Sequence, residues 1–246
     1  MKCKKCKKLL TVAVAAAMFL SAGSVAMAGG RNTTRHASVS YSQAHSDFVI
    51  VDGWLREYVG SGGDMVILDE VVGITDYVFA EHDEITSVTI PKSVVNIGAY
   101  QFFMSHNLTK INVDSENPYF SSQDGVYYTK DKSFLIAFPS GRKGTFTLHK
   151  TVTNIVLDAF YECAGLTEIN VESGNTAYSS QNGVLYNKDK TELIYCPDGK
   201  KGAITIPDSV KSIDSYAFFN RKEINDIKFP DSLTSIGEGY SPPPLL

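Results

Sequence analysis

Residues 107–113 read Asn-Leu-Thr-Lys-Ile-Asn-Val, and residues 165–171 read Gly-Leu-Thr-Glu-Ile-Asn-Val; Ser-Ser-Gln-Asp-Gly-Val at 121–126 returns as Ser-Ser-Gln-Asn-Gly-Val at 179–184. Extended both ways, the match runs without a gap from 88–145 onto 146–203, with 28 identities in 58 positions. Only tandem duplication produces that. A shorter period lies inside the unit: apolar-x-apolar triplets begin at Val66, Val88, Ile111, Phe146, Ile169, Ile204 and Ile227, at intervals of 22, 23, 35, 23, 35 and 23 residues. A rung near 23 residues, enlarged at every second turn, is the mark of a solenoid.

Strand alternation sets the side chains of each triplet. Val88 and Ile90 point inward, and the same holds for Ile111 and Val113, Phe146 and Leu148, and Ile169 and Val171. The residues between them, Thr89, Asn112, Thr147, Asn170, Thr205 and Lys228, face outward as one column of a parallel sheet. Seven such strands would make a face about 30 Å tall. Further apolar positions recur at fixed offsets and stack into ladders: Val71, Val94, Val152, Val210, Leu233; Ile74, Ile97, Ile155, Ile213, Ile236; and Phe79, Phe102, Phe160, Phe218. Each enlarged rung carries two β-prone runs around Lys130-Asp-Lys132 or Lys188-Asp-Lys190, which predicts a hairpin. Another hairpin, Phe48 to Tyr58 around Asp52-Gly53, makes residues 48–63 an N-terminal cap with Trp54 over the first rung.

Composition is that of an ordinary folded protein: 246 residues, 43% hydrophobic and 20% charged. Residues 1–28 read as a secretory signal, with a Lys-rich start, the apolar run Leu9 to Leu20, and Ala26 and Ala28 before cleavage at Gly29. Residues 29–47 read as a flexible linker. Removal of the signal leaves 18 basic against 27 acidic residues, a balance of −9. So acidic a chain disfavours nucleic acid or an anionic membrane as a partner, and no membrane insertion is expected after cleavage. Cys3 and Cys6 leave with the signal; Cys163 and Cys196 occupy positions held by Ser105 and Phe138 in the sister copy and are expected as buried free thiols rather than a disulfide.

The strings Ile-Pro-x-Ser-Val-x-x-Ile at Ile90 to Ile97 and Ile206 to Ile213 are each followed by Tyr-x-Phe, at Tyr100 and Tyr216, and Leu108 or Leu166 continues the pattern. This combination resembles the BspA-like (Treponema-type) leucine-rich repeat, over residues 48–240. The resemblance implies a right-handed, β-rich α/β leucine-rich-repeat solenoid across 64–240. About seven rungs of parallel strands, a short helical or irregular ridge and projecting β-hairpins are expected. It also implies a secreted or cell-surface bacterial protein engaged in adhesion and protein binding, with no catalytic residues to carry over.

A search for chemistry in the residues themselves is consistent with that. His36, His45, His82, His106 and His149 show no metal spacing, no nucleophile elbow occurs, and Gly60, Gly62 and Gly63 lack the Lys of a phosphate loop. Asp114, Ser115, Glu116 and Asn117 have the oxygen chemistry of a calcium loop, but their sisters Glu172, Ser173, Gly174 and Asn175 lose a carboxylate, which favours solvated turns. Tyr119, Tyr127 and Tyr128 invite a sugar-stacking reading, although hairpin packing explains most of them.

No enzyme, cofactor or metal is therefore expected. The expected site is the outward column Thr89, Asn112, Thr147, Asn170, Thr205 and Lys228, flanked by Lys110, Glu168 and Asp226, with a protein as ligand and a glycan as the second class. The alternative is an accessory spacer or wall-targeting domain of an exported hydrolase. At the C-terminus Ile227, Phe229, Leu233 and Ile236 begin another rung that breaks off in the irregular Pro-rich tail 241–246. Either the array is cut short or the tail covers it through Tyr240 and Leu245. A monomer, or weak end-to-end association, follows.

Overall fold

The computed structural model describes residues 47–156, 158–219 and 221–238. The signal segment, the linker up to residue 46, Cys3, Cys6, His36, His45, Tyr240 and the tail 241–246 lie outside the described residues.

The chain winds into a β-solenoid of about eight turns with two strand faces. On the first face Gly63–Val66, Ile85–Ile90 and Lys110–Val113 form one parallel sheet, Gly144–Leu148 and Leu166–Val171 a second, and Gly202–Thr205 and Ile224–Lys228 a third. The second face begins with the hairpin Phe48–Val51 and Trp54–Tyr58, followed by Gly73–Ile74 and Asn96–Ile97. Trp54 pairs with Gly73 there, and a Cβ on Gly73 would lie 2.7 Å from the indole.

Three expectations are corrected, on register, hairpins and the column, and one choice is decided. Of the helical and irregular ridges expected, the irregular one is found: among the described residues there is no helix, and the ridge is a series of turns. Tyr77, Glu81, Tyr100, Met104, Glu162 and Tyr216 all have φ between 52° and 63°, a left-handed conformation that no right-handed helix can include. The first triplet is one residue out of register: Met65, not Val66, pairs with Val88, leaving Met65 5% exposed and Val66 61% exposed. Side-chain direction has a period of two, so a slip of one turned Val66 outward.

The enlarged rungs do not project hairpins. Each is a three-stranded meander, Phe120–Gln123, Val126–Thr129 and Phe134–Ala137 in one copy, Tyr178–Gln181, Val184–Asn187 and Glu192–Tyr195 in the other. Both are built into the second face, where Leu135 pairs with Ile155 and Leu193 with Ile213 in parallel. Their central strands are buried, as expected of apolar residues that can reach the core. The missed hairpin turns are Asp124-Gly125 and Asn182-Gly183, with φ near 51° and 75° at successive positions; Asp52-Gly53 shares that geometry, the one favoured by two-residue hairpins. These meanders also split the expected continuous column into three sheets, while the turn count, about eight, roughly matches the seven expected.

Ladders hold the rungs together. Val71, Val94, Val152 and Val210 are fully buried, and Phe79 stacks on Phe102 with centroids 5.7 Å apart. The enlarged rungs add their own rings, Phe138 and Tyr195, on either side of Phe160 at 5.6 and 5.2 Å. Beside the aromatic ladder runs a polar rail in which one rung donates to a carbonyl of the rung before. Ser105 bonds Phe79, Ser140 bonds Ser105, Tyr195 bonds Phe160 and Arg221 bonds Cys196, at 2.6 to 2.7 Å. Such bonds satisfy turn carbonyls that no strand reaches.

Candidate functional site

The sequence places nine residues on the outer side of the first face, and the structure groups them in three. Thr89 and Asn112 are cross-strand partners, with Lys110 beside Ser87 in the same sheet. Thr147 and Asn170 pair in the second sheet, where Glu168 aligns with Thr145. Thr205 pairs with Lys228, and Asp226 with Ala203, in the third. None of the nine is buried. Between the groups stand the meander turns: Ile111 donates to the Gly125 carbonyl and Ile169 to that of Gly183, both at 2.9 Å.

These glycines shape the site. A Cβ at Gly125 would lie 2.7 Å from Lys110 Cγ, and one at Gly183 would lie 2.8 Å from Glu168 Cβ. The side-chain stems of Lys110 and Glu168 therefore lie over bare backbone. At the first sheet's edge Asp64 accepts from Ser87 at 2.6 Å and Thr86 at 3.2 Å, bonds that hold its carboxyl below the usual range.

The calcium-like loop resolves differently. Asn117 is buried, its Nδ2 donating to the carbonyls of Pro91 and Val94 and its Oδ1 accepting from the amides of Tyr119 and Phe120, all within 2.8 to 3.0 Å. Asn175 repeats the arrangement with His149, Val152, Ala177 and Tyr178. Every hydrogen-bonding position of both amides is used, so these residues lock the meander to the preceding rung and are not solvated turn residues. Among the described residues no group of three His, Cys, Asp or Glu is placed to hold a metal ion.

Tyr127 and Tyr128 are buried, so of the three tyrosines weighed for sugar stacking only Tyr119 is exposed. Exposed and half-buried rings given no site role above run along the ridge instead, where exposed Tyr77, half-buried Tyr100 and Phe103, and exposed Tyr161 touch in series. The signal was available in the sequence, where Tyr100 and Tyr216 stand twelve residues after Val88 and Ile204, and Phe103, Tyr161 and Phe219 fifteen residues after Val88, Phe146 and Ile204. On the same ridge His106 lies between Asp83 and Glu162, at 2.9 and 2.8 Å, spanning the turn at Gly141. Its pKa is raised, first by the hydrogen bond to Glu162.

Cys163 and Cys196 are free and buried. Burial pushes the Cys163 thiol well up and the Cys196 thiol up to about 12, so neither is a nucleophile at neutral pH. Next to them Arg221 pairs with Asp198 at 2.7 Å and lies over the Tyr195 ring, while Tyr195 bonds the same carboxylate.

No curated protein matches the sequence. Among solved structures, a leucine-rich repeat protein from Eubacterium ventriosum is 21% identical, with a TM-score of 0.50 over 78% of this chain and 59% of that one. The pneumococcal vaccine antigen PcpA is 21% identical, with a TM-score of 0.46 over 68% of this chain and 51% of its own. A leucine-rich cell surface protein of Faecalibacterium prausnitzii is 21% identical at a TM-score of 0.36, over 75% of this chain and 68% of that one. The chain thus spans little more than half the length of the first two. The model of the BspA type leucine rich repeat region matches six copies, at residues 63–141, 135–203 and 195–240. With ladders, parallel rungs and repeat model in agreement over most of its length, the chain is a member of the BspA-type leucine-rich repeat family.

Proposed function

We propose that the protein is an exported, non-catalytic binding module that engages a protein ligand at the bacterial cell surface. The observation that supports this reading is the outward side of the first face. Three in-register pairs, Thr89 with Asn112, Thr147 with Asn170 and Thr205 with Lys228, present polar side chains, all short but Lys228, on parallel strands. Cross-rung ladders hold those strands, so little ordering is needed when a partner binds. Lys110, Glu168, Asp226 and Lys228 supply charge of both signs along it. The reading of residues 1–28 as a secretory signal supports export.

The test is a binding screen of the chain from Gly29 onward against extracellular-matrix proteins, host-cell proteins and glycans. Each hit is then repeated with Lys110→Glu and Glu168→Lys together. A protein partner whose affinity falls at least tenfold supports the reading. Hits confined to glycans or cell-wall polymer would replace it with a wall-targeting role.

A further inference from the structure

We infer that the ridge carries a docking strip for a cationic, Lys- or Arg-bearing segment of a protein partner, built from Tyr77, Tyr100, Phe103 and Tyr161 with the carboxylates of Asp158 and Glu162. The inference rests on the binding-module reading and specifies the chemistry of its partner.

The rings form one continuous surface. Tyr77 stacks on Tyr100 with centroids 5.2 Å apart and planes 13° apart, Tyr100 meets Phe103 edge-on at 6.1 Å, and Phe103 stacks on Tyr161 at 4.6 Å. Tyr77 is 47% exposed and Tyr161 38%. The core does not require them, because the inner ladder of Phe79, Phe102 and Phe160 is separate. Other rungs place Ala80 where Phe103 and Tyr161 stand, and Asp158 where Tyr77 and Tyr100 stand. Tyr77 and Tyr100 also sit at φ 62° and 56°, where Gly or Asn is held with less strain. Large, rigid, half-exposed rings kept at a costly backbone position suit an interface, where tyrosine supplies contact area with little side-chain entropy to lose.

Charge selects the occupant. The ridge stretches 75–84, 98–107 and 156–164 hold Asp76, Glu81, Asp83, Glu84, Asp158 and Glu162 and not one Lys or Arg; the turn at Gly141 between the last two adds Lys143 and Arg142, the latter held over the Phe138 ring and bonded to the Asp124 carbonyl. Their two histidines, His82 and His106, each face carboxylates already. Burial raises the Tyr100 phenol's pKa, and half-buried Asp158 lies close enough to add to it; the Asp158 carboxyl is itself raised by burial, opposed by its own backbone amide. Tyrosine faces attract cations, and the excess of carboxylates over cationic groups on these stretches adds to the attraction. A neutral sugar could use the rings but would leave the carboxylates without a role.

The full chain is titrated into a labelled peptide of alternating Arg and Ser, and into the same peptide with citrulline at each Arg, at about 0.15 M salt. The Arg peptide is expected to bind and the citrulline peptide not. Tyr100→Asn and Asp158→Asn should each weaken binding about tenfold; Asn tolerates positive φ, and an unchanged melting temperature shows that the fold is kept. Asp208→Asn with Asp231→Asn, far along the array, should change affinity less than twofold. Equal weakening by that distant pair, or no effect of Tyr100→Asn, overturns the strip, as does a glycan bound through Tyr100 while the Arg peptide is not. A protein partner lost on reversing Lys110 and Glu168 yet indifferent to Tyr100→Asn would retain the binding module and remove the strip. Indifference to both surfaces would remove both.

Discussion

The amide of Ile111 donates to the carbonyl of Gly125, 2.9 Å away, where continuation of the sheet would have supplied another strand. A two-residue turn of the meander thereby takes a place on the first face, and the outward column is divided at that level. Gly125 can do this because it sits at φ +75° and leaves Lys110 room above it.

Gly125→Ala should accordingly destabilise the protein by about 1–3 kcal/mol, through strain at positive φ and the approach of its Cβ to Lys110. In thermal unfolding this is a fall of about 2–4 °C for each kcal/mol. Gly183→Ala should behave alike against Glu168; Gly174→Ala, which meets no atom within 4 Å, should cost less despite its own positive φ.

Asn117→Ala removes four hydrogen bonds at once and leaves the Pro91 and Val94 carbonyls without that donor. A loss of about 2–4 kcal/mol is expected. A lower urea midpoint with unchanged slope would show it. Asn117→Asp should be at least as harmful, since its carboxylate faces two carbonyl oxygens.

Tyr127 presents the opposite case. Its ring is fully buried and its hydroxyl has no hydrogen-bond partner, while the sister position is Leu185. Tyr127→Phe should leave stability unchanged or raise it by about 1 kcal/mol, read from the same urea midpoint.

The Asp198–Arg221 pair is nearly excluded from water. Asp198→Ala should cost about 3–5 kcal/mol because a guanidinium is left buried without its partner. Asp198→Leu combined with Arg221→Met should recover most of that loss, as a double-mutant cycle of melting temperatures would register.

The His106 clamp predicts a pH dependence. Its folded pKa lies above the ordinary value of 6.5, first because of Glu162 and also because of Asp83. The clamp's stabilisation is therefore complete below about pH 6.5 and is lost as pH rises through the folded value. The melting-temperature difference between the native chain and His106→Gln should be larger at pH 6 than at pH 8.5. The effect will be small, since the ring is partly exposed.

A 23-residue period with fixed apolar offsets was enough, in the sequence alone, to establish the solenoid, its inward ladders and the outward side of every pair from Thr89 to Lys228. Those features are local: strand alternation decides the side, and identical rungs stack only in register. What the meanders do was decided by tertiary structure. Asp124-Gly125 and Asn182-Gly183 are visible as turn pairs, but whether the strands beside them project or fold into the second face depends on where Tyr127 and Leu185 find apolar surface. The register at Met65 was likewise ambiguous, because Val66 and Leu68 read as well inward as Met65 and Ile67 until pairing with Val88 settled it. The ridge shows the same limit. Tyr77, Tyr100, Phe103 and Tyr161 are ordinary aromatics in the linear chain, and only the stacking of successive turns, with Tyr77 and Tyr100 themselves in a left-handed conformation, brings them into one surface beside Asp158 and Glu162.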